Sequence, residues 1–339
     1  MKKFILNFSA FISFFLIILS LGILIVNSII NHKGNFKIKK DSKYIVLGHS
    51  HPECAFNDSL ISDFSNFGKS GESYFYTYFK MKKILEQNEN LKTIFIEFSN
   101  NQIEIEMDKW IWNDEFITNR YPIFSPFMDL KDNWMLLNNN PSGFIKSLSL
   151  SLKHNFSNIA ENDFEYTNNI GGYLYLKRDR TDSLIACQKK MPLKKLSSNN
   201  LSYQNLEYLD KIIKYCKERN VKIYLIRSPL NHNYKGFTNE RDFQNLLSSK
   251  YSDIEFLDFS RFPLKNSEFG DLEHLNYRGA RKFSTWFNKL VEQGLLNQLK
   301  KQQTIDKKIM SISTIHLLNR LNSRHHQGNH ESKNTNKGE

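Results

Sequence analysis

Cysteine is scarce in this 339-residue chain, and its three copies (Cys54, Cys187 and Cys216) are odd in number and widely scattered. That excludes a disulfide framework and a Cys-rich zinc site. No Walker loop and no Gly-x-Gly-x-x-Gly follows any predicted strand, so no nucleotide cradle is expected. No metal motif occurs either, and the expected cofactor and metal complement is none. Acidic residues are missing from residues 1–40, where six lysines stand unopposed. At the other end, residues 300–339 carry eight Lys/Arg against three acids. The two ends hold nearly all of the formal charge of +12, leaving about +1 for everything between them. A basic groove for nucleic acid is therefore not expected.

Charge is also absent from Phe8 to Ile30, a run dense in Phe, Leu, Ile and Val. Crossing a bilayer as a helix takes about 20 residues, so the run is long enough. Lys2 and Lys3 would suit a cleaved signal peptide, but the apolar run is too long for one and no small-x-small site follows it. The reading is an uncleaved single-pass anchor with a basic flank, residues 1–40. Lysines at both ends leave its orientation open.

Tyr44 to Leu47 (YIVL) reads as a short strand buried on both faces. Gly48 ends it, and Ser50 follows where the strand gives way to a loop. In open α/β sheets ligands bind outside the carboxyl ends of strands, so this hydroxyl is a candidate nucleophile. An ordinary helix-capping serine is the alternative. Near the far end, Gly270 to Ala280 reads GDLEHLNYRGA and sets Asp271 and His274 three apart before an amphipathic helix. A serine needs a base, usually histidine, whose tautomer a carboxylate fixes; these two residues supply both.

With those residues the chain resembles the SGNH/GDSL hydrolase superfamily over roughly Lys43 to Leu299. The Asp-x-x-His-Leu-Asn-x-x-Gly-Ala string is the most specific part. The resemblance implies a three-layer α/β/α, flavodoxin-like fold with a mainly parallel sheet, behind the amino-terminal transmembrane helix. It implies Ser50, Asp271 and His274 as catalytic residues. It also implies an oxyanion hole from the backbone N–H groups of Ser50 and Gly68 (Gly71 in reserve) and the amide of Asn100, or alternatively Asn101. The family's Gly-Asp-Ser is Gly48-His49-Ser50 here, and its Gly-x-Asn is Phe98-Ser99-Asn100-Asn101. The resemblance to surface-glycan esterases and acyltransferases implies an extracytoplasmic domain and an acylated glycan or other ester as substrate. Partner proteins of a polysaccharide system would fit. A catalytically degenerate, membrane-anchored glycan-binding protein is the second class of reading, because the aspartate beside the serine is lost.

The rest of the chain fits βα alternation. Ser73 to Gln87 reads as a helix, Leu91 to Phe98 as a strand, Asn205 to Asn220 as a helix and Val221 to Ile226 as a strand. A helix near Asn239 to Lys250, a strand at Ile254 to Phe259 and a last helix at Tyr277 to Leu299 complete it. The domain is thus read as residues 41–299. Residues from about 104 to 200, with Trp110, Trp112 and Trp134, break the alternation and read as an insertion over the mouth of the sheet. His232 follows a strand and reads as a loop bystander. Residues 300–339 read as a polar basic disordered tail, including His325, His326 and His330, with Ile309 to Leu321 as a possible short helix.

Overall fold

The computed structural model describes residues 1–38, 42–188 and 201–314. The apolar run forms one long helix, α1 (Lys2–Lys33), long and apolar enough to cross a membrane. β1 (Tyr44–Leu47), α2 (Ser50–Ala55), β2 (Phe64–Asn66), α3 (Tyr74–Gln87) and β3 (Thr93–Glu97) follow. Then come α4 (Lys109–Trp112), α5 (Asp114–Phe124), α6 (Leu130–Asn139), α7 (Pro141–Glu161) and α8 (Thr181–Gln188). The alternation resumes with α9 (Tyr203–Glu218), β4 (Lys222–Arg227), α10 (Glu240–Ser249), β5 (Glu255–Asp258) and α11 (Tyr277–Glu292). Residues 301–314 form a further helix, α12.

Among the described residues five parallel strands make one sheet, in the order β2-β1-β3-β4-β5. This is the flavodoxin-like order, whose topological switch point lies between the first and third strands. Parallel strands covered on both faces must be apolar throughout, and Ile45–Leu47 and Ile94–Ile96 are wholly buried. One face carries α3 and α9 through Phe75, Phe79, Leu209 and Ile212. The other carries α11 through Phe283, Phe287 and Leu290. The architecture is the expected three-layer α/β/α sandwich.

Three boundaries differ from the sequence reading. β2 is a strand of three residues in a stretch read as loop; it is an edge strand too short to show a period. α11 stops at Glu292, because Gly294 turns the chain at φ +80°. The segment read as a disordered tail begins instead with α12. There Ile305 and Ile309 are buried in the second core, Lys301 pairs with Glu255 (2.8 Å), and Gln302 accepts from the Asp258 N–H (2.8 Å). Those isoleucines recur at helical spacing, which the polar surroundings obscure. His325, His326 and His330 lie outside the described residues.

The amino-terminal helix and the insertion are not separate from the domain. Val26 and Ile30 on α1 and Phe36 beyond it are buried. Gly34 and Phe36 are pinned to the end of α3 by Gln87, and Phe36 and Ile38 by Asn88. Helices α5, α6 and α7 thicken the layer on the α3 face and receive the end of α1; they do not roof the sheet. Among the described residues of the insertion, Trp110 and the strip 171–182 reach the mouth. Ile30→Ala should therefore destabilise the protein by about 2–5 kcal/mol, the usual cost of emptying a buried isoleucine site. Ile18→Ala, on the exposed part of α1, should leave domain unfolding in detergent unchanged. Equal unfolding curves for both variants would mean that α1 is only tethered.

Candidate functional site

Ser50 is placed by a turn that only glycine makes easily. Gly48 has φ +138°, and a Cβ there would lie 2.6 Å from the Glu97 Cβ. The chain can thus turn tightly from β1 into α2 against the neighbouring strand, with His49 as N-cap and Ser50 as the first helical residue. The Ser50 Oγ lies 2.7 Å from His274 Nε2. His274 Nδ1 lies 2.9 and 3.0 Å from the two Asp271 oxygens. Asp271 Oδ1 also accepts the backbone N–H groups of Glu273 and His274, both at 2.8 Å, and Oδ2 pairs with Arg178. Burial pushes the Asp271 carboxyl up. The hydrogen bond and charge of His274, helped by the Glu273 N–H and Arg178, outweigh it and hold the group at about 2. A carboxylate so held stays ionised and fixes the imidazole with Nε2 toward the serine.

Two further residues of the GDLEHLNYRGA string, Asn276 and Gly279, are structural. Buried Asn276 caps α11 by accepting from the N–H groups of Arg278 and Gly279, while its Nδ2 donates to the carbonyls of Ser267 and Phe269. Gly279 is required by close approach, since a Cβ there would meet the Glu268 carbonyl oxygen at 2.1 Å.

Behind the serine lies a buried polar layer that sequence reasoning missed. His49 and His51, on either side of Ser50, stack edge to face at 4.2 Å, and His51 also edges His274 at 5.4 Å. His51 Nδ1 stands 3.4 Å from Glu97 Oε1 and its Nε2 stands 3.5 Å from Glu273 Oε2. The first is an ion-pair contact without good hydrogen-bond geometry. The Glu97 carboxylate accepts from the Ser228 N–H and Oγ–H. Burial alone would lower the His51 imidazole, but the close carboxylates of Glu273 and Glu97, through their polar contacts and charges, reverse this and raise it to about 9. His51 is thus a buried cation between two carboxylates. His49 goes the other way: burial, then the charges of His51 and His274, keep it well below its ordinary range, so it is neutral. One donor atom each from His49, His51 and Glu97 lies within 4.8 Å of the others. The proton on His51 already balances that cluster. A sequence signal existed, because Glu97 is an acid inside the apolar run TIFIEF, and a buried acid demands a partner.

The expected oxyanion donors need correction. The Gly68 N–H is engaged by Asn66 Oδ1 at 2.7 Å. Gly68 is there for close approach, since a Cβ would meet the Glu53 backbone N at 2.6 Å. Gly71 sits in a left-handed turn under Phe116. Asn100 Nδ2 donates to Asn239 Oδ1 (3.0 Å) and Glu240 Oε2 (2.8 Å), and Arg227 donates to Asn100 Oδ1 (3.0 Å). It serves a polar cluster under α10 instead of the serine. Asn101 lies on the site's side. Its Oδ1 accepts from Ser99 Oγ, itself 3.3 Å from His49 Nε2, and among the described residues its Nδ2 has no partner.

The mouth is bordered by aromatic rings. Trp110 stands edge-on to His49 at 6.0 Å, and Tyr175 stacks on Tyr277 at 4.8 Å. The strip bearing Tyr175 is fastened by Gly172 to the Gly68 carbonyl, Leu174 to that of Glu53 and Arg180 to that of Gly270. A cavity of about 550 Å³ lies to one side, at the ends of β4 and β5, lined by Asn231, His232, Tyr234, Arg261 and Phe262. His232 therefore faces a cavity, but Ser50, Asp271 and His274 do not line it. The Asn231 N–H to the Leu272 carbonyl (3.1 Å) joins its wall to the His274 loop.

No curated protein matches this chain. A protein-family model that carries no functional description matches residues 151–296. Among solved structures, a GDSL-like lipase from Bacteroides thetaiotaomicron VPI-5482 is similar over 78% of this chain and 94% of its own, at 11% identity and a TM-score of 0.31.

The charge on His51 sets a pH dependence. A group raised from 6.5 to about 9 on folding stabilises fully below pH 6.5, and that stability is lost as pH rises through 9. His51→Gln should therefore be less stable than the parent below pH 6.5, with the gap narrowing above 9, as read by urea unfolding. A gap independent of pH would mean that His51 is buried neutral.

Proposed function

We propose that this protein is a membrane-anchored, SGNH-type serine esterase or O-acyltransferase acting on acylated cell-surface polysaccharide or a related acylated glycan. The observation that carries the reading is the hydrogen-bonded chain Ser50–His274–Asp271, with its carboxylate held ionised. In this mechanism Ser50 Oγ attacks the acyl carbon while its proton passes to His274 Nε2. Asp271 steadies the imidazolium, and Arg178 and two backbone N–H groups keep Asp271 in place. The oxyanion is held by the Ser50 N–H and the Asn101 amide. Collapse expels the alcohol, which takes the proton from His274 and leaves acyl-Ser50. Water or a sugar hydroxyl then gives its proton to His274 and attacks the acyl carbon, freeing Ser50. The rings of Trp110, Tyr175 and Tyr277 around the mouth suit stacking on sugars. In the same reading α1 spans the membrane and holds the domain outside the cytoplasm.

A glycan-binding protein without turnover is the second reading. It is favoured by one observation, that Gly68 and Asn100 are spent elsewhere. A fluorophosphonate probe should label Ser50 and leave Ser50→Ala unlabelled; labelling that survives the substitution would displace Ser50 as nucleophile. Asp271→Asn should cut release of acetate from an activated ester about 10³–10⁴-fold. Added oligosaccharide should speed the parent and collect the acetyl group if the acceptor is a sugar, and change nothing if it is water. No turnover with any ester, together with glycan binding, would establish the second reading.

A further inference from the structure

The cavity beside the serine site carries polar groups that the fold itself does not use. It opens at the carboxyl ends of β4 and β5, the end of an open α/β sheet where ligands bind. Its volume of about 550 Å³ is that of a ligand cleft, which runs from roughly 300 to 1,000 Å³. Ser260 lines it on a side chain that is 8% exposed. The Ser260 N–H donates to Asp258 Oδ1 (2.9 Å) and its carbonyl accepts from the Leu230 N–H (3.2 Å). Its hydroxyl has no partner among the described residues. So deep a hydroxyl calls for a partner from outside the chain. Tyr234 adds a second hydroxyl without a partner there. Gly236 leaves room for it, since a Cβ at that position would stand 2.0 Å from the Tyr234 Oη.

The charges on the wall are not equally spent. Glu240 accepts from Arg227 (2.9 Å), Asn100 (2.8 Å) and Gln244 (2.7 Å), and Arg227 turns its other nitrogens to Asp258. Arg261 stands exposed at the cavity, and its guanidinium has no partner among the described residues. A guanidinium is a planar fork that matches a carboxylate or a phosphate. Rings complete the lining, with Tyr234 edge-on to Phe237 at 5.4 Å and Phe262 against Trp286 at 4.7 Å. Rings beside free donors suit a sugar, which offers an apolar C–H face and hydroxyls together.

The same wall belongs to the loop of the catalytic histidine. The Asn231 N–H holds the carbonyl of Leu272, between Asp271 and His274, and Phe269 of that loop lines the cavity. Burial first, then the charges of Glu273 and Glu104, push the Tyr234 hydroxyl up, so this ring lies in the field of the residue next to His274.

We propose that the cavity binds a sugar residue bearing an anionic group, the neighbour of the acylated residue in the same glycan, with Arg261 on the anion and Ser260 and Tyr234 on the hydroxyls. This rests on the reading of the Ser50 site as one that acts on a glycan, and it makes the protein selective for acidic polysaccharides.

The test uses the full chain carrying Ser50→Ala in amine-oxide detergent micelles, which hold neither sugar nor phosphate. Saturation-transfer NMR compares glucuronate, glucose 6-phosphate and glucose. An anionic sugar should bind, and the better of the two identifies carboxylate or phosphate as the group read. Glucose should bind about tenfold or more weakly, and so should the anionic sugar to Arg261→Gln, the usual loss of a charge-assisted hydrogen bond. Ser260→Ala should also weaken binding, and urea unfolding of both variants should match the parent. Equal binding of all three sugars, or binding that neither Arg261→Gln nor Ser260→Ala weakens, would overturn the proposal. No binding of any sugar, while a fluorophosphonate labels Ser50 in the parent, would overturn the cavity site and leave the serine chemistry standing. The expected binding without labelling of Ser50 would uphold the cavity site and remove the chemistry.

Discussion

The hydrogen bond from Ser50 to His274 joins residues 224 positions apart, and it can form only at one place in the sheet. β1 is central, paired with β2 on one side and β3 on the other, so its carboxyl end opens on the crevice at the switch point. The Gly48 turn releases the serine there against Glu97 of β3. The loop before α11 then brings Asp271 and His274 back over the same crevice. Were β1 an edge strand, the serine would stand at the rim with one neighbour, and the rings of His51 and His274 could not meet behind it.

That crevice is electrostatically expensive and is stabilised from behind. Glu97 is wholly buried at the end of a central strand, and an isolated carboxylate there would be prohibitive. His51 answers it with a proton and shares the same proton-bearing ring with Glu273, next in the chain to His274. The charge pattern therefore ties together both halves of the site: the helix that carries Ser50 and the loop that carries His274. Beside the serine, His49 sits neutral and buried, and its ring contacts Ser99 Oγ at 3.3 Å.

The insertion and the amino-terminal helix obey a different constraint. α1 must leave the domain as a helix that is apolar all round, yet its last turns need partners inside it. α7 meets both needs with small and polar residues toward the core at Gly143, Ser147, Ser151 and Asn155, and the Asn27–Asn155 contact at the point of departure. Small side chains allow close approach of helices, and the Asn155 amide N–H reaches across the seam to Asn27 Oδ1.

Much of this could be read from residue order. Tyr44–Leu47 and the TIFIEF run are apolar without interruption, which in a short segment means a strand covered on both faces. The stripe Phe283, Trp286, Phe287 and Leu290 has a helical period, and the Asp-x-x-His spacing puts acid and base on one turn. Such features rest on contacts within a few residues, so sequence by itself pointed to the helices α1, α3, α9, α10 and α11, most strands, the apolar span and the Ser50–Asp271–His274 set. Tertiary structure alone decided the rest. Asn100 and Asn101 are equal candidates in sequence, and only the packing of α10 against β3 shows that the first is consumed by Asn239, Glu240 and Arg227. The same holds for α12, whose isoleucines are few among polar residues until β5 and α11 offer them a surface. It holds for His51, whose charge depends on carboxylates 46 positions away at Glu97 and farther still at Glu273. Local periodicity records which face of an element is buried; it carries no information on which distant donor or charge will share that burial, because that is set by the strand order.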